Sequence, residues 1–252
     1  MLHGASRRRS GFIFPTADRL KSMNRWTIVC DFDGTVSVGD VTDLLLERFG
    51  APGWEELETA WQMGEIGSRA CLAGQVALLD ASPAQLDGAI ASIAIDPAFP
   101  AFVADARAAG ADITVVSDGL DRAIRALLAR YGLEDLPVIA NHLVQAGARS
   151  WRLEFPHGNP ACRAASGTCK CERAMGLRQD AARVLLIGDG SSDFCVAGSA
   201  DFVFAKHRLV AHCRERGYPH LAFHNFADAR AALPRLLAGR LAPPLPIPSQ
   251  DR

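Results

Sequence analysis

Short apolar runs that end in clusters of Asp, Gly and Ser constrain the fold of this chain more than any other feature. Helical patterns separate these runs. In the clearest of these patterns, apolar residues from Leu120 to Tyr131 recur at the spacing of a single helix face. Alternating strands and helices predict an α/β fold, with a Rossmann-like parallel sheet that binds ligands at the carboxyl ends of its strands. The predicted strands are residues 26–32, 113–116, 138–143, 184–187 and 202–205.

Residues 41–96 interrupt this alternation, because they contain helix signals and no convincing strand. An apolar stripe that starts at Val41 stops at Gly50, which is typical of a helix end. Ser82 followed by Pro83 is typical of a helix start. The segment therefore predicts a small helical cap inserted after the first strand.

This interruption divides the chain. A core domain is expected at residues 25–40 and 97–240, with the cap at residues 41–96. Residues 1–24 are expected to be a disordered extension, because their apolar stretch is too short for a secretion signal. The proline-rich residues 241–252 predict an extended or disordered tail.

Composition and charge argue against several classes of function. The 252 residues carry a formal net charge of −1, which does not suggest a basic face for nucleic acid. No apolar run approaches the roughly 18 residues of a membrane-spanning helix. Seven cysteines without a secretion signal predict reduced thiols in the cytoplasm. The sequence does not decide the oligomeric state, and a homodimer is one of the alternatives that it leaves open.

The first polar cluster contains two carboxylates, Asp31 and Asp33, followed by Gly34 and Thr35. A turn that merely ends a strand would also explain an Asp-Gly pair. An EF-hand fits poorly, because the fifth position lacks Asp or Asn and the twelfth lacks Glu. The choice between a structural and a catalytic role therefore depends on the rest of the sequence.

Further clusters are expected at the same sheet edge. Ser117-Asp118-Gly119 follows the second predicted strand, Asp189 and Asp193 follow the fourth, and Lys170 precedes a helical pattern between them. Each residue alone has a structural explanation, such as a solvated charge or a helix cap. Their joint occurrence in this order favours catalysis.

Carboxylate oxygens are the ligands that Mg²⁺ prefers. Asp31 and Asp189 are candidate ligands through their side chains, and Asp33 through its backbone carbonyl. Asp193 is a candidate ligand through a water molecule, or a residue that orients another ligand. The sequence therefore predicts a magnesium site.

Phosphoryl transfer depends mainly on positioning and charge neutralisation, and these residue types supply both. Asp31 can attack as a carboxylate nucleophile, while Asp33 protonates the leaving oxygen and then activates water. Ser117 and Thr35 can donate hydrogen bonds to phosphate oxygens, and Lys170 places a cation beside them.

These four motifs together resemble the haloacid dehalogenase superfamily over about residues 26–240, and the helical insertion looks like the type-1 cap of its phosphoserine phosphatase branch. The resemblance implies an Mg²⁺-dependent phosphatase acting on a small phosphorylated metabolite. It implies that Asp31 is the nucleophile, Asp33 the general acid and base, and Asp189 a metal ligand. The candidate substrate- and phosphate-binding residues are Thr35, Asp40, Ser117, Asp118, Gly119 and Lys170.

The residues at and within the predicted cap reduce the range of candidate substrates. Asp40 occupies the acidic position nine residues after the nucleophile, as in phosphoserine phosphatases, but residues 71–76 lack the arginines that would hold a substrate carboxylate. An unpaired carboxylate in a closed site is costly. Three downstream motifs are Ala140-Asn-His142, Glu154-Phe-Pro-His157 and Gly167-Thr-Cys-Lys-Cys171. They resemble the family of the methionine-salvage enol-phosphate phosphatase, whose substrate is 2-hydroxy-3-keto-5-methylthiopentenyl-1-phosphate. Phosphoserine and a phospho-alcohol such as phosphoethanolamine or phosphocholine are the alternatives.

A histidine and three cysteines surround Lys170 in sequence: His157, Cys162, Cys169 and Cys171. They could complete a structural Zn²⁺ site, although one residue between the last two cysteines is fewer than usual. A reversible disulfide between Cys162 and Cys169 is a second hypothesis, and thiols that simply pack beside the site are the third. Two non-catalytic functions also stay open: a binding protein that kept the fold, and a zinc- or redox-sensing regulator.

Overall fold

One sheet organises the part of the chain that the structure describes, residues 25–178 and 183–241 of a computed structural model. The predicted extension at residues 1–24 lies outside these ranges, as does the predicted tail at residues 241–252 except for its first residue. The strands are β1 (Trp26–Cys30), β2 (Asp112–Leu120), β3 (Val138–Gln145), β4 (Trp151–Glu154), β5 (Arg183–Gly188), β6 (Phe202–Ala205) and β7 (His220–Ala222). The helices are α1 (Val41–Phe49), α2 (Trp54–Gln62), α3 (Ser68–Ala77), α4 (Pro83–Ala91), α5 (Phe99–Ala108), α6 (Asp121–Ala129), α7 (Lys170–Leu177), α8 (Phe194–Ala197), α9 (His207–Arg216) and α10 (Phe226–Leu237).

The strand order is β4-β3-β2-β1-β5-β6-β7, which confirms the predicted α/β fold. All neighbouring pairs are parallel except β3 and β4. Ile28 of the central strand β1 lies opposite Ile113 of β2 and Leu185 of β5. The carboxyl ends of β1, β2 and β5 therefore meet at one edge of the sheet, where the polar clusters were predicted to converge.

Helices cover both faces of the sheet. Successive side chains along a strand point to opposite faces, so each strand contributes to the packing on both. Ile28 and Leu185 pack into the larger core cluster, to which α1, α4, α5, α6 and α10 contribute. Val29 and Leu186 pack into a second cluster, which contains residues of α7, α8 and α9. Burial on both faces explains why the predicted strands read as continuous apolar runs.

Helices α1 to α4 lie between β1 and α5, within residues 41–96, the segment predicted to be a cap; 'the cap' below refers to this segment. Ser82 begins α4 in the predicted manner, with its side chain accepting from the Gln85 amide and the Gln85 side chain accepting in return. Gly50 ends α1, but its backbone is extended rather than left-handed. A Cβ at Gly50 would lie 2.6 Å from the Leu46 carbonyl oxygen, so space rather than φ requires glycine here.

Two short strands, β4 and β7, were not predicted. Both are edge strands, and neither is a run of buried apolar residues. β4 carries the cap: the indole nitrogen of its Trp151 donates to the Ala81 carbonyl at 2.8 Å. Among the helices of the described ranges, none is both long and apolar enough to cross a bilayer.

Candidate active site

Asp31 lies one residue beyond β1, where its amide donates to the Ile187 carbonyl of β5 at 2.9 Å. The chain then turns sharply, and Gly34 adopts the left-handed conformation with a φ of 70°. A Cβ at Gly34 would lie 2.6 Å from the Asp189 carboxylate. Glycine is therefore required both by the turn and by the close approach of the loop after β5.

Lys170, the first residue of α7, reaches the buried carboxylates at this edge although only 2% of it is exposed. Its Nζ donates to Asp31 at 2.6 Å, to Asp193 at 2.7 Å and to the Ser192 hydroxyl at 3.0 Å. All three ammonium protons therefore have partners. Burial lowers the pKa of Lys170, but the charges of Asp193 and Asp31 outweigh it and hold the pKa above its usual value.

Burial also acts on the two predicted catalytic carboxyls. It raises the pKa of Asp31 to about 8, against the opposing charge of Lys170. It raises the pKa of Asp33 well above the usual value, and the nearby charges of Asp40 and Asp31 add to the shift. Asp33 accepts a hydrogen bond from the Val41 amide at 3.0 Å, which ties it to the start of the cap. A carboxyl that holds its proton suits a general acid.

Carboxylate oxygens of Asp31, Asp189 and Asp193 all lie within 4.8 Å of one another. This donor set is hard, anionic and oxygen-only, and it therefore fits Mg²⁺. The Asp193 carboxylate is already bound, because one oxygen accepts from Lys170 and the other from the amides of Asp189 and Gly190. Asp193 is therefore better placed to orient the loop than to bind a cation directly.

The phosphate-binding candidates divide into two groups. Ser117 and Gly119 line the cavity beside Asp31, and the Gly119 amide donates to the Ser117 hydroxyl at 2.9 Å. Thr35 is fully buried and is not among the described residues that line this cavity, and its hydroxyl has no hydrogen-bond partner within residues 25–178 and 183–241. Its carbonyl accepts from Lys206 Nζ at 2.9 Å. A phosphate contact of the Thr35 side chain stays a prediction.

Asp118 joins three parts of the chain at the end of β2. One carboxylate oxygen accepts from the Ser68 hydroxyl of cap helix α3 at 2.6 Å. The other accepts from the Thr168 amide at 2.8 Å and from Asn141 Nδ2 of β3 at 3.1 Å. Although Asp118 lines the cavity, its carboxylate is bound within the protein, and one of its bonds attaches α3 of the predicted cap to the core.

Removal of the Ser68 hydroxyl is expected to loosen this attachment. Because the acceptor is a carboxylate, Ser68→Ala should lower the free energy of unfolding by about 1.5–3 kcal/mol. Urea denaturation measures this change. Ser150→Ala, at an exposed serine beyond β3, is the matched control and should change stability by less than about 0.5 kcal/mol. Equal stability of the two variants would contradict the proposed fastening.

A cavity of about 320 Å³ connects the nucleophile to the cap. Asp40 lines it, while its side chain caps α1 by accepting from the Asp43 amide at 3.0 Å. The sequence reasoning missed other lining residues: Asp43, Glu58, Trp61, Gln75, Ser192 and Arg208. Arg208 follows β6 closely, so its position just after a predicted strand could have indicated it as a cavity residue. The cap residues had no such signal, because they come together only through the packing of α1, α2 and α3.

The hypothesis of a zinc site finds no support in the described residues, where the only cluster suited to a metal is the acidic one. The thiol of Cys162 forms a hydrogen bond with the Ser166 hydroxyl at 3.1 Å, whereas Cys171 packs against the same apolar cluster as Cys195 of α8. Cys169 is the buried, extended residue before α7, whereas Cys171 lies in the first turn of that helix and is partly exposed. All seven cysteines are free thiols.

Comparisons with known proteins agree with this geometry. The sequence profile of the haloacid dehalogenase-like hydrolases matches residues 28–198. A 2-hydroxy-3-keto-5-methylthiopentenyl-1-phosphate phosphatase of Exiguobacterium sibiricum is 31% identical, over 80% of this chain and 93% of its own length. The protein of that name from Geobacillus kaustophilus is 29% identical, over 83% of this chain and 96% of its own length.

Solved structures share the fold. A HAD family hydrolase from Salmonella enterica superposes with a TM-score of 0.65 at 20% identity, covering 82% of this chain and 69% of its own. A phosphoserine phosphatase with an analogue of its phospho-aspartyl intermediate gives 0.64 at 18% identity, covering 82% and 97%. The profile match, the curated relatives and the shared fold together show that this chain belongs to the haloacid dehalogenase-like hydrolases and is a phosphoric monoester hydrolase.

Proposed function

We propose that the protein is a Mg²⁺-dependent phosphomonoesterase that works through a phospho-aspartate on Asp31. One observation carries this proposal: the Asp31 carboxylate lines the cavity, is bound to Lys170, and lies beside Asp189 and Asp193. A buried carboxylate that is paired with a cation and open to a cavity is a candidate nucleophile.

Two displacements complete the reaction. In the first, an Asp31 oxygen attacks phosphorus, the bond from phosphorus to the leaving oxygen breaks, and Asp33 gives its proton to that oxygen. In the second, Asp33 takes a proton from water, the water oxygen attacks phosphorus, and the bond to Asp31 breaks to release phosphate. Ser117 binds a phosphate oxygen, and Lys170 binds another by exchanging its bond to the Ser192 hydroxyl. One group serving as acid and then base accelerates each step by about 10²–10⁴-fold.

Asp31 and Asp189 would hold the cation, with the Asp33 carbonyl as a further ligand and Asp193 as an orienting group. When bound, Mg²⁺ neutralises negative charge on the phosphate and the nucleophile. Without it, several carboxylates would face a phosphate dianion with Lys170 as their nearest cation.

We further propose the methionine-salvage enol phosphate, named in the relatives above, as the substrate. Its leaving group carries no carboxylate, and this agrees with the cavity. Among the described residues that line it, Arg208 is the only basic side chain, and it belongs to α9 of the core rather than to the cap. A phosphoserine carboxylate would meet Asp40, Asp43 and Glu58 there instead.

Removal of the metal provides the test. Exhaustive dialysis against a chelator should abolish hydrolysis of para-nitrophenyl phosphate, and added Mg²⁺ should restore it, because the acidic site cannot accept a phosphate dianion unaided. Initial rates measure the activity, and circular dichroism checks that the metal-free protein stays folded. Full activity of the chelated protein would exclude the proposed role of Mg²⁺.

A further inference from the structure

Glu58 of α2 is a carboxylate held in position at the cap side of the cavity. One of its oxygens accepts from Gln75 Nε2 at 3.2 Å and from the Cys71 thiol at 3.9 Å. The other accepts from Gln62 Nε2 at 3.0 Å. Gln75 itself is only 2% exposed, so packing holds this donor in place and with it one oxygen of Glu58.

This carboxylate keeps free capacity to bind a ligand. A carboxylate offers about four lone-pair positions, and the three donors leave one on the oxygen that faces Gln62. Glu58 forms no ion pair with the described residues. Its negative charge at the cavity wall is therefore not neutralised by the protein.

The groups around Glu58 favour binding of a hydrogen-bond donor over binding of an anion. Desolvation at the cavity wall raises the pKa of Asp43 to about 7, and the negative charges of Asp40 and Glu58 add to this shift. Trp61 lines the same wall and adds an aromatic surface suited to a cation or an apolar chain. This wall would attract a hydrogen-bond donor and repel an anion.

We propose that Glu58 is a specificity-determining residue, which accepts a hydrogen bond from a hydroxyl or ammonium group on the leaving group and disfavours leaving groups with a carboxylate. The inference rests on the proposed phosphomonoesterase function and deepens it. The enol phosphate supplies the hydroxyl, and phosphoethanolamine supplies the ammonium. O-phosphoserine carries an ammonium as well, but its carboxylate meets the acidic wall.

The test compares Glu58→Gln with Glu56→Gln, which changes an exposed glutamate on the same helix outside the cavity lining. The readout is the ratio of kcat/KM for the better donor-bearing substrate to that for O-phosphoserine, because a ratio cancels any loss of active enzyme. Glu58→Gln should lower this ratio about tenfold or more, mainly through KM of the donor-bearing substrate. Glu56→Gln should leave it within about twofold of the wild type.

The arms of the experiment separate the outcomes. A wild-type preference for the enol phosphate identifies the hydroxyl as the partner of Glu58, and a preference for phosphoethanolamine identifies the ammonium. An equal ratio in the two variants, or a wild-type preference for O-phosphoserine, overturns the role of Glu58. Failure of the wild type to hydrolyse para-nitrophenyl phosphate with Mg²⁺ would instead overturn the proposed function.

Discussion

Asp31→Asn is expected to lower kcat for para-nitrophenyl phosphate by about 10⁴-fold or more, as loss of a covalent nucleophile does in other enzymes. An amide cannot form the acyl phosphate, whereas it fills the space of the carboxylate. The fold should persist, because the substitution removes a buried charge and Lys170 keeps Asp193 as its partner. Steady-state rates with Mg²⁺ and a thermal melt measure the two effects.

Asp112→Asn is the matched control. Asp112 begins β2 at the opposite end of the sheet, where it pairs with Arg25 on the surface. Surface pairs contribute little, so this variant should keep both activity and stability. Near-full activity of Asp31→Asn would show that another group is the nucleophile.

Lys170→Met is expected to remove activity and also to destabilise the fold. Its ammonium is the cation bonded to both Asp31 and Asp193, and these carboxylates are almost fully buried. Breaking a buried ion pair by removing one partner costs about 3–5 kcal/mol, because the remaining charges lose their compensation. Urea denaturation measures this loss, and added Mg²⁺ should recover part of it by binding to the same carboxylates.

Lys206→Met separates this effect from the loss of any buried lysine. Lys206 is also buried, but its Nζ binds the Thr35 carbonyl and faces the rings of Phe223 and Phe226. It forms no ion pair with the described residues, so its removal should cost less stability than that of Lys170. The reverse order would contradict the dominant role of the carboxylates.

The central strands were predictable because their physical signal is local. Residues in β1, β2 and β5 are buried on both faces, so these strands read as apolar runs. A cluster of polar residues marks the carboxyl end of each run in the sequence. The edge strands β4 and β7 have partly exposed residues and no such run. Their pairing depends on neighbours that are distant in sequence.

The catalytic side of the cavity was predictable for the same reason, and the cap side was not. Asp31 and Asp189 directly follow β1 and β5, and Ser117 lies two residues past the last pair of β2 with β1. Glu58 and Gln75, in contrast, reach one another only because α2 packs on α3. The zinc hypothesis had a related weakness. Spacing in sequence grouped Cys171 with its neighbours, while α7 packs on α8 and places Cys171 against the same apolar cluster as Cys195.

The position of the cap within the sequence has a consequence for inheritance and engineering. The cap residues that line the cavity fall in one uninterrupted stretch, whereas the reacting groups lie in separate loops of the core. A single exchange of that stretch between relatives could replace the preference for a leaving group without altering the phosphoryl chemistry. Such a chimera would need a hydroxyl in place of Ser68 to meet Asp118, and a backbone carbonyl in place of Ala81 to meet Trp151.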